Sequence, residues 1–245
     1  MSVWLNRRRA RHPAEVHRML ALLCLLPVLT AGCREDTPIA GPDGGIQLHL
    51  VMNVGDEYRF DRWLLDQYGY VITSSKTVER WRVYQKGATV FGDTGLTLLD
   101  DSVTSVGSGT VYMKVTEAGA LYQFGFLDRV VRQMGIGKAP PQWDQLLPGT
   151  LQSGEVWVVG VADSAARDTV YGSFNSVPEY FSAVINGVQS VVSAYRIDLT
   201  GQRVQYTFWV TDTPTCITAF QEESNDFGPG FEAFLTWARV AAPPP

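Results

Sequence analysis

From Ile46 onwards the apolar positions recur with a period of two rather than 3.6. Tyr58 and Phe60 alternate with Arg59 and Asp61, and Trp81 and Val83 share one face of the stretch from Thr77 to Gln85. Val111, Met113 and Val115 alternate with Tyr112, Lys114 and Thr116. The turn Glu117-Ala118-Gly119 then leads into Ala120–Phe126, which predicts a hairpin. Val156–Val161 is nearly all apolar, the pattern of a strand buried on both faces. Val191, Ser193, Tyr195, Ile197 and Leu199 form one stripe, Thr200-Gly201-Gln202 turns the chain, and Val204, Tyr206, Phe208 and Val210 form the matching stripe. The last strand is expected over Phe231–Val240, because Pro243-Pro244-Pro245 cannot extend a ladder.

Helical spacing is rare. Leu127, Val130, Val131 and Met134 fit i, i+3, i+4, i+7 and predict one short helix before Gly135. Pro141–Leu147 could supply a further helical turn. Ser176–Tyr195 fits two readings. Ser176 and Glu179 match a capping box ahead of a helical face, but Asn186-Gly187 sits midway and valine is abundant, which favours two strands around an Asn-Gly turn. The chain therefore reads as all-β: an antiparallel curved sheet or partly closed barrel, or else a β-sandwich, of roughly ten or eleven strands with one or two short helices. No internal repeat is visible.

The other apolar run is N-terminal. Arg7, Arg8, Arg9, Arg11 and Arg18 precede Met19–Leu29, which ends in the small pair Ala31-Gly32. This is the build of a secretory signal, and the run falls short of the roughly 20 residues that span a bilayer. Leu29-Thr30-Ala31-Gly32-Cys33 resembles the lipobox of bacterial lipoproteins. The resemblance implies that Cys33 is lipidated and becomes the first residue of the mature chain, with acyl chains as its membrane partner. Thr30 stands where Leu, Val or Ile is commoner. Residues 1–32 are then the signal, 33–45 a Gly-, Pro- and charge-rich tether, and 46–245 a β domain. In such lipoproteins an Asp after the lipidated cysteine goes with inner-membrane retention. Arg34 holds that place, which implies the outer membrane, facing the periplasm.

Composition narrows the chemistry. The precursor has 20 basic and 25 acidic residues; losing five Arg and Glu15 with the signal leaves 15 against 24, a net charge of −9. That surface offers no basic footprint for nucleic acid or for flat docking on anionic lipid. Cys24 leaves with the signal, so Cys216 has no intramolecular disulfide partner once Cys33 is lipidated; its apolar surroundings suit a small buried hydrophobe better than a reactive thiol. His49 is the only histidine after residue 32, which removes most histidine-rich metal sites and makes it the only imidazole a nucleophilic triad could use.

Asn53-Val54-Gly55-Asp56-Glu57-Tyr58-Arg59-Phe60 is similar to the opening strand of uncharacterised secreted bacterial lipoproteins, for which no activity is agreed. Acidic pairs at Asp100-Asp101 and Glu222-Glu223, and the group Asp56, Glu57, Asp61 and Asp66, lack calcium-loop spacing. No Gly-x-Ser-x-Gly or phosphate-binding Gly-Lys-Ser/Thr loop is present. Strand aromatics such as Tyr112 and Trp209 fall opposite the aliphatic stripe, as a two-layer core or an aromatic ligand face would place them. The expectation is a lipid-anchored envelope protein with a non-catalytic binding or structural β domain, without cofactor, whose partner is a lipid, glycan or protein. The competing expectation is an envelope glycan- or ester-acting hydrolase using carboxylates from Asp100, Asp101, Glu222 or Glu223.

Overall fold

A computed structural model describes residues 39–40, 45–104, 107–135, 137–163, 168–211, 217–222 and 230–241. Two short strands come first. β1 (Ile39–Ala40) pairs with β2 (Ile46–Gln47), a two-residue ladder that reaches into the stretch expected as tether. The other twelve are β3 (Glu57–Leu64), β4 (Thr77–Val90), β5 (Asp93–Val103), β6 (Gly107–Val115), β7 (Leu121–Phe124), β8 (Trp143–Leu147), β9 (Val156–Asp163), β10 (Asp168–Ile185), β11 (Val188–Thr200), β12 (Gln205–Val210), β13 (Ile217–Glu222) and β14 (Phe231–Arg239). They form one sheet in the order β8-β7-β6-β5-β4-β3-β14-β13-β12-β11-β10-β9, antiparallel at every step. The fold is all-β, and of the two expected forms it takes the partly closed barrel.

The sheet closes in two ways. β10 is long enough to pair a second time, in parallel with β14 at Val184↔Trp237 and Ile185↔Ala238, which makes a ring of β10, β11, β12, β13 and β14. The free edges of β8 and β9 meet through side chains: Gln142 Nε2 donates to the Val161 carbonyl at 3.2 Å and Trp157 Nε1 to the Gln145 carbonyl at 3.1 Å. The large interior is filled by Tyr58, Phe60, Trp81, Leu99, Phe220 and their neighbours, with Phe60, Trp81 and Phe220 in mutual ring contact at 4.9–5.5 Å. Helix α1 (Phe126–Gln133) buries Phe126, Leu127, Val130 and Val131 there, on the expected face, and Gly135 at φ 69° follows it.

The five-strand ring has its own small core. Phe181, Ala194, Trp209, Ala219 and Phe234, one from each strand, pack together inside it. A sheet with a core on either side explains why β11 departs from a single stripe. Ile197 and Leu199 face the large interior, Val192 and Ala194 are buried on the other parity, and Val191 and Ser193 are exposed. Trp209 is therefore core. Tyr112 packs at the edge of Phe91 on the outside of β6.

The hairpins predicted across β6–β7, β10–β11 and β11–β12 are present. Asn186 (φ 50°) and Gly187 (φ 83°) form the turn between β10 and β11, the two positive φ values that an Asn-Gly hairpin turn requires. Two expectations are corrected. Pro141–Leu147 holds strand β8 and no helical turn, because the open edge of β7 takes it as a partner and Trp143, Gln145 and Leu147 register against β7. Val156–Val161 is not buried on both faces: β9 ends the sheet, so Val156 and Val158 face outward while Trp157 and Val159 face the core.

Gly172 on β10 lies opposite Trp157, and a Cβ there would come within 2.2 Å of an indole ring already buried and bonded to Gln145. Gly172→Ala should therefore destabilise the protein by about 1–3 kcal/mol through overpacking. Thermal denaturation followed by circular dichroism checks this; an unchanged midpoint would show that Trp157 yields freely.

Candidate functional site

Five charged side chains converge at one end of the barrel: Arg62 near the end of β3, Glu79 at the start of β4, Asp101 at the end of β5, Glu222 at the end of β13, and Arg129 on α1. Each strand residue lies on the buried parity of its strand, Arg62 two residues after Phe60, Glu79 two before Trp81, Asp101 two after Leu99 and Glu222 two after Phe220. The sheet thus continues its inward face with charge where the apolar stripe runs out. Gly125, at φ 66°, turns the chain from β7 into α1 and brings Arg129 over Asp101.

Arg129 Nη1 donates to Asp101 Oδ2 at 2.8 Å, and Trp81 Nε1 donates to Glu79 Oε1 at 2.9 Å. Arg62 Nε lies 3.6 Å from Glu79 Oε2, an ion-pair contact too long for a hydrogen bond, while its guanidinium covers the Phe231 ring at 3.9 Å. Arg62 Nε, Arg129 Nε, Asp101 Oδ1 and Glu222 Oε2 are four of the five buried side-chain polar atoms without a hydrogen-bond partner among the described residues.

Burial raises the carboxyl pKa values here. Glu79 is pushed up to about 7, first by desolvation and then by the charge of Asp101, with Arg129, Trp81 and Arg62 opposing. Desolvation also raises Asp101 against the pull of Arg129, and lifts Glu222 to about 8 against Arg62 and Arg129. A protonated Glu79 supplies the hydrogen that a carboxylate neighbour such as Asp101 lacks. The Tyr206 phenol, wholly buried alongside, is also driven upward by burial.

Beside the cluster lies a narrow crevice lined by Trp81, Leu99, Val111, Met113, Gln123 and Arg129, too tight to hold even a water molecule. Ordinary ligand pockets are far larger, at roughly 300–1,000 Å³. Gly109 faces Asp101 across β5–β6, and a Cβ there would meet nothing within 4 Å, so the cluster has no wall of side chain on that side.

Of the carboxylates singled out from sequence, the fold brings Asp101 and Glu222 into this interior. Asp100 points to the outside opposite Arg82, and Glu223 lies outside the described residues, as do Cys33 and Cys216. His49 is exposed between buried Leu48 and Leu50. Sequence reading missed Arg62, Glu79 and Arg129. Their signal was a charge on an otherwise apolar face. Among the described residues no group of three or more His, Cys, Asp and Glu is placed to hold a metal ion.

No protein-family model matches the chain, and no curated protein matches it. It is similar in structure to a provisionally designated exported protein with a YmcC-like fold from Bacteroides fragilis, at 9% identity and a TM-score of 0.42, over 78% of this chain and 99% of that one. It is also similar to a provisionally designated lipoprotein from Parabacteroides distasonis, at 9% identity and a TM-score of 0.38, over 78% and 98%. Neither likeness bears on function.

Glu79, Glu222 and Asp144, the last lifted to about 6 by burial, hold protons in the native state that the unfolded chain releases above about pH 4.5. Their contribution to stability is present at acid pH and is lost as pH rises through about 6 to 8. Asp93 works the other way: its bonds from Lys114 and Trp143 lower its pKa, so its share is lost only in stronger acid. The thermal midpoint should be several degrees higher near pH 5 than near pH 8, and Glu79→Gln should flatten that slope. A midpoint that rises towards pH 8 contradicts the assignment.

Proposed function

We propose that the chain is a lipid-anchored protein of the bacterial cell envelope, held by acyl chains on Cys33 at the outer membrane and facing the periplasm, whose β unit is a non-catalytic binding or structural module. The Leu29–Cys33 motif carries this reading. It follows a basic, apolar signal and leads through Arg34 and a Gly- and Pro-rich stretch into the barrel. Acyl chains stabilise membrane attachment by about 0.8 kcal/mol per buried CH₂, and the two or three chains of a mature lipoprotein suffice where one does not.

The interior supports a module without catalysis. Asp101 is held by Arg129 and Glu79 by Trp81, inside a barrel filled by α1 and aromatic side chains. A glycosidase instead needs two carboxylates across a substrate-sized cleft. The hydrolase alternative rests on Asp101 and Glu222, which share this interior, and it is tested with the same protein.

Cys33→Ser should block processing or release the protein from membranes under a carbonate wash. A variant that is processed normally and stays bound removes the anchor reading. Turnover of a glycan or ester panel by the wild-type protein, abolished by Asp101→Asn or Glu222→Gln, would replace the non-catalytic reading with the hydrolase.

A further inference from the structure

The chain reaches the barrel at the end opposite the charged cluster. The lead-in segment 46–56 joins β3 where β14 finishes, and Asp56 Oδ1 there accepts the Ala241 N–H at 2.7 Å. The tip of the β10–β11 hairpin belongs to the same end. The Asn186 N–H donates to the Ala238 carbonyl at 2.9 Å, and Asn186 Oδ1 accepts the Val240 N–H at 2.8 Å. A continuous set of hydrogen bonds therefore ties the lead-in segment to the hairpin tip through the end of β14.

This end carries apolar side chains that no described residue covers. Tyr180 is 71% exposed, Val191 70%, Val188 65%, Val54 54% and Val51 49%. On the hairpin, Tyr180 and Ser182 project on the same outward face as Val191 and Ser193, while Val188 has the parity of buried Val192 and is exposed at the tip. Charge is sparse on these two segments. Glu179 is the sole acid or base across 176–195 and His49 the sole one in 46–55, in a chain where 18% of residues are charged, while Glu57, Arg82 and Arg239 stand on the neighbouring strands at the rim. A protein with a net charge of −9 after residue 32 is repelled by anionic lipid over most of its surface. An uncharged face bearing valines and a tyrosine lacks that repulsion, and tyrosine suits the interface between headgroup and acyl chain.

Covalent reach selects the occupant. Residues 33–45 form the only link between Cys33 and Ile46. A coil of that length spans about 20 Å, and the β1–β2 pairing shortens it further. Resting on the lipid-anchor reading, we infer that the tip and the outward face of the β10–β11 hairpin, with Val51 and Val54, lie against the lipid bilayer and fix the barrel's orientation on the membrane. The charged end, with its crevice and the exposed Tyr68 and Tyr70 of the β3–β4 connection, then faces away from the lipid.

The test uses the acylated full-length mature protein in vesicles of phosphatidylethanolamine and phosphatidylglycerol. Single spin labels at Val54→Cys, Val188→Cys and Val191→Cys, in a Cys216→Ser background, are compared with Tyr68→Cys and Tyr70→Cys. The first three should gain collisions with oxygen and lose collisions with a water-soluble nickel chelate severalfold on reconstitution, while the two controls stay unchanged. Labels at 54, 188 and 191 that remain as water-accessible as the controls overturn the inference, as do labels immobilised without oxygen contact, which would mark a protein partner. Val188→Trp, read by extra quenching from bromine-labelled lipid relative to wild type, repeats the test with Cys216 intact. The mass of Cys33 separates the two ideas: an unacylated cysteine fails the anchor, and this inference with it, whereas an acylated one with water-exposed labels fails the orientation alone.

Discussion

Asp144 joins parts of the fold that the backbone ladders leave separate. It is fully buried on β8, where Oδ2 accepts the Leu127 N–H at 2.8 Å and Oδ1 accepts Gln142 Nε2 at 2.9 Å. Gln142 in turn donates to Val161 on β9. Helix α1 has Gly125 at its N-cap, with no side-chain cap of its own, so the carboxylate from β8 satisfies an N–H that would otherwise be orphaned. β9 crowds the same group. A Cβ on Gly160 would fall 2.3 Å from Asp144 Oδ1, which is why only glycine fits there. One side chain thus seats the helix and draws the two free edges of the sheet together.

The charged cluster depends on that seating. Arg129 reaches Asp101 only because α1 is held across the barrel end, and Asp101 in turn raises the pKa of Glu79. Removing one member of a buried ion pair leaves an uncompensated charge, which costs more than the pair contributes. Neutral Glu79 and Glu222 lower the number of charges that must be balanced by Arg62 and Arg129. The arrangement puts a proton-holding, partly unsatisfied polar group at one end of the barrel.

Much of this was legible as local pattern. The hairpins around Asn186-Gly187 and Thr200-Gly201-Gln202 and the helix over Leu127–Met134 follow from period and turn chemistry within a few residues. What could not be read locally was closure. The parallel pairing of β10 with β14 joins segments far apart in sequence, β8 and β9 are consecutive but meet through side chains that no strand period announces, and β8 offers only five residues, too few to set its period. The acids were sought as neighbours in sequence, at Asp100-Asp101 and Glu222-Glu223. A strand sends such neighbours to opposite faces, so Asp100 left the site that Asp101 enters. Glu79 and Asp101 meet because β4 and β5 are adjacent, and the readable sign was a charge on the parity of Trp81 and Leu99.

Hydrogen exchange on Asp144→Ala addresses the joining role most directly. Backbone amides of α1 and of β9 should lose protection together, while those of the β12–β13 pair retain theirs. If α1 stays protected and only the overall stability falls, the helix is held by its apolar face alone and Asp144 does not join the parts.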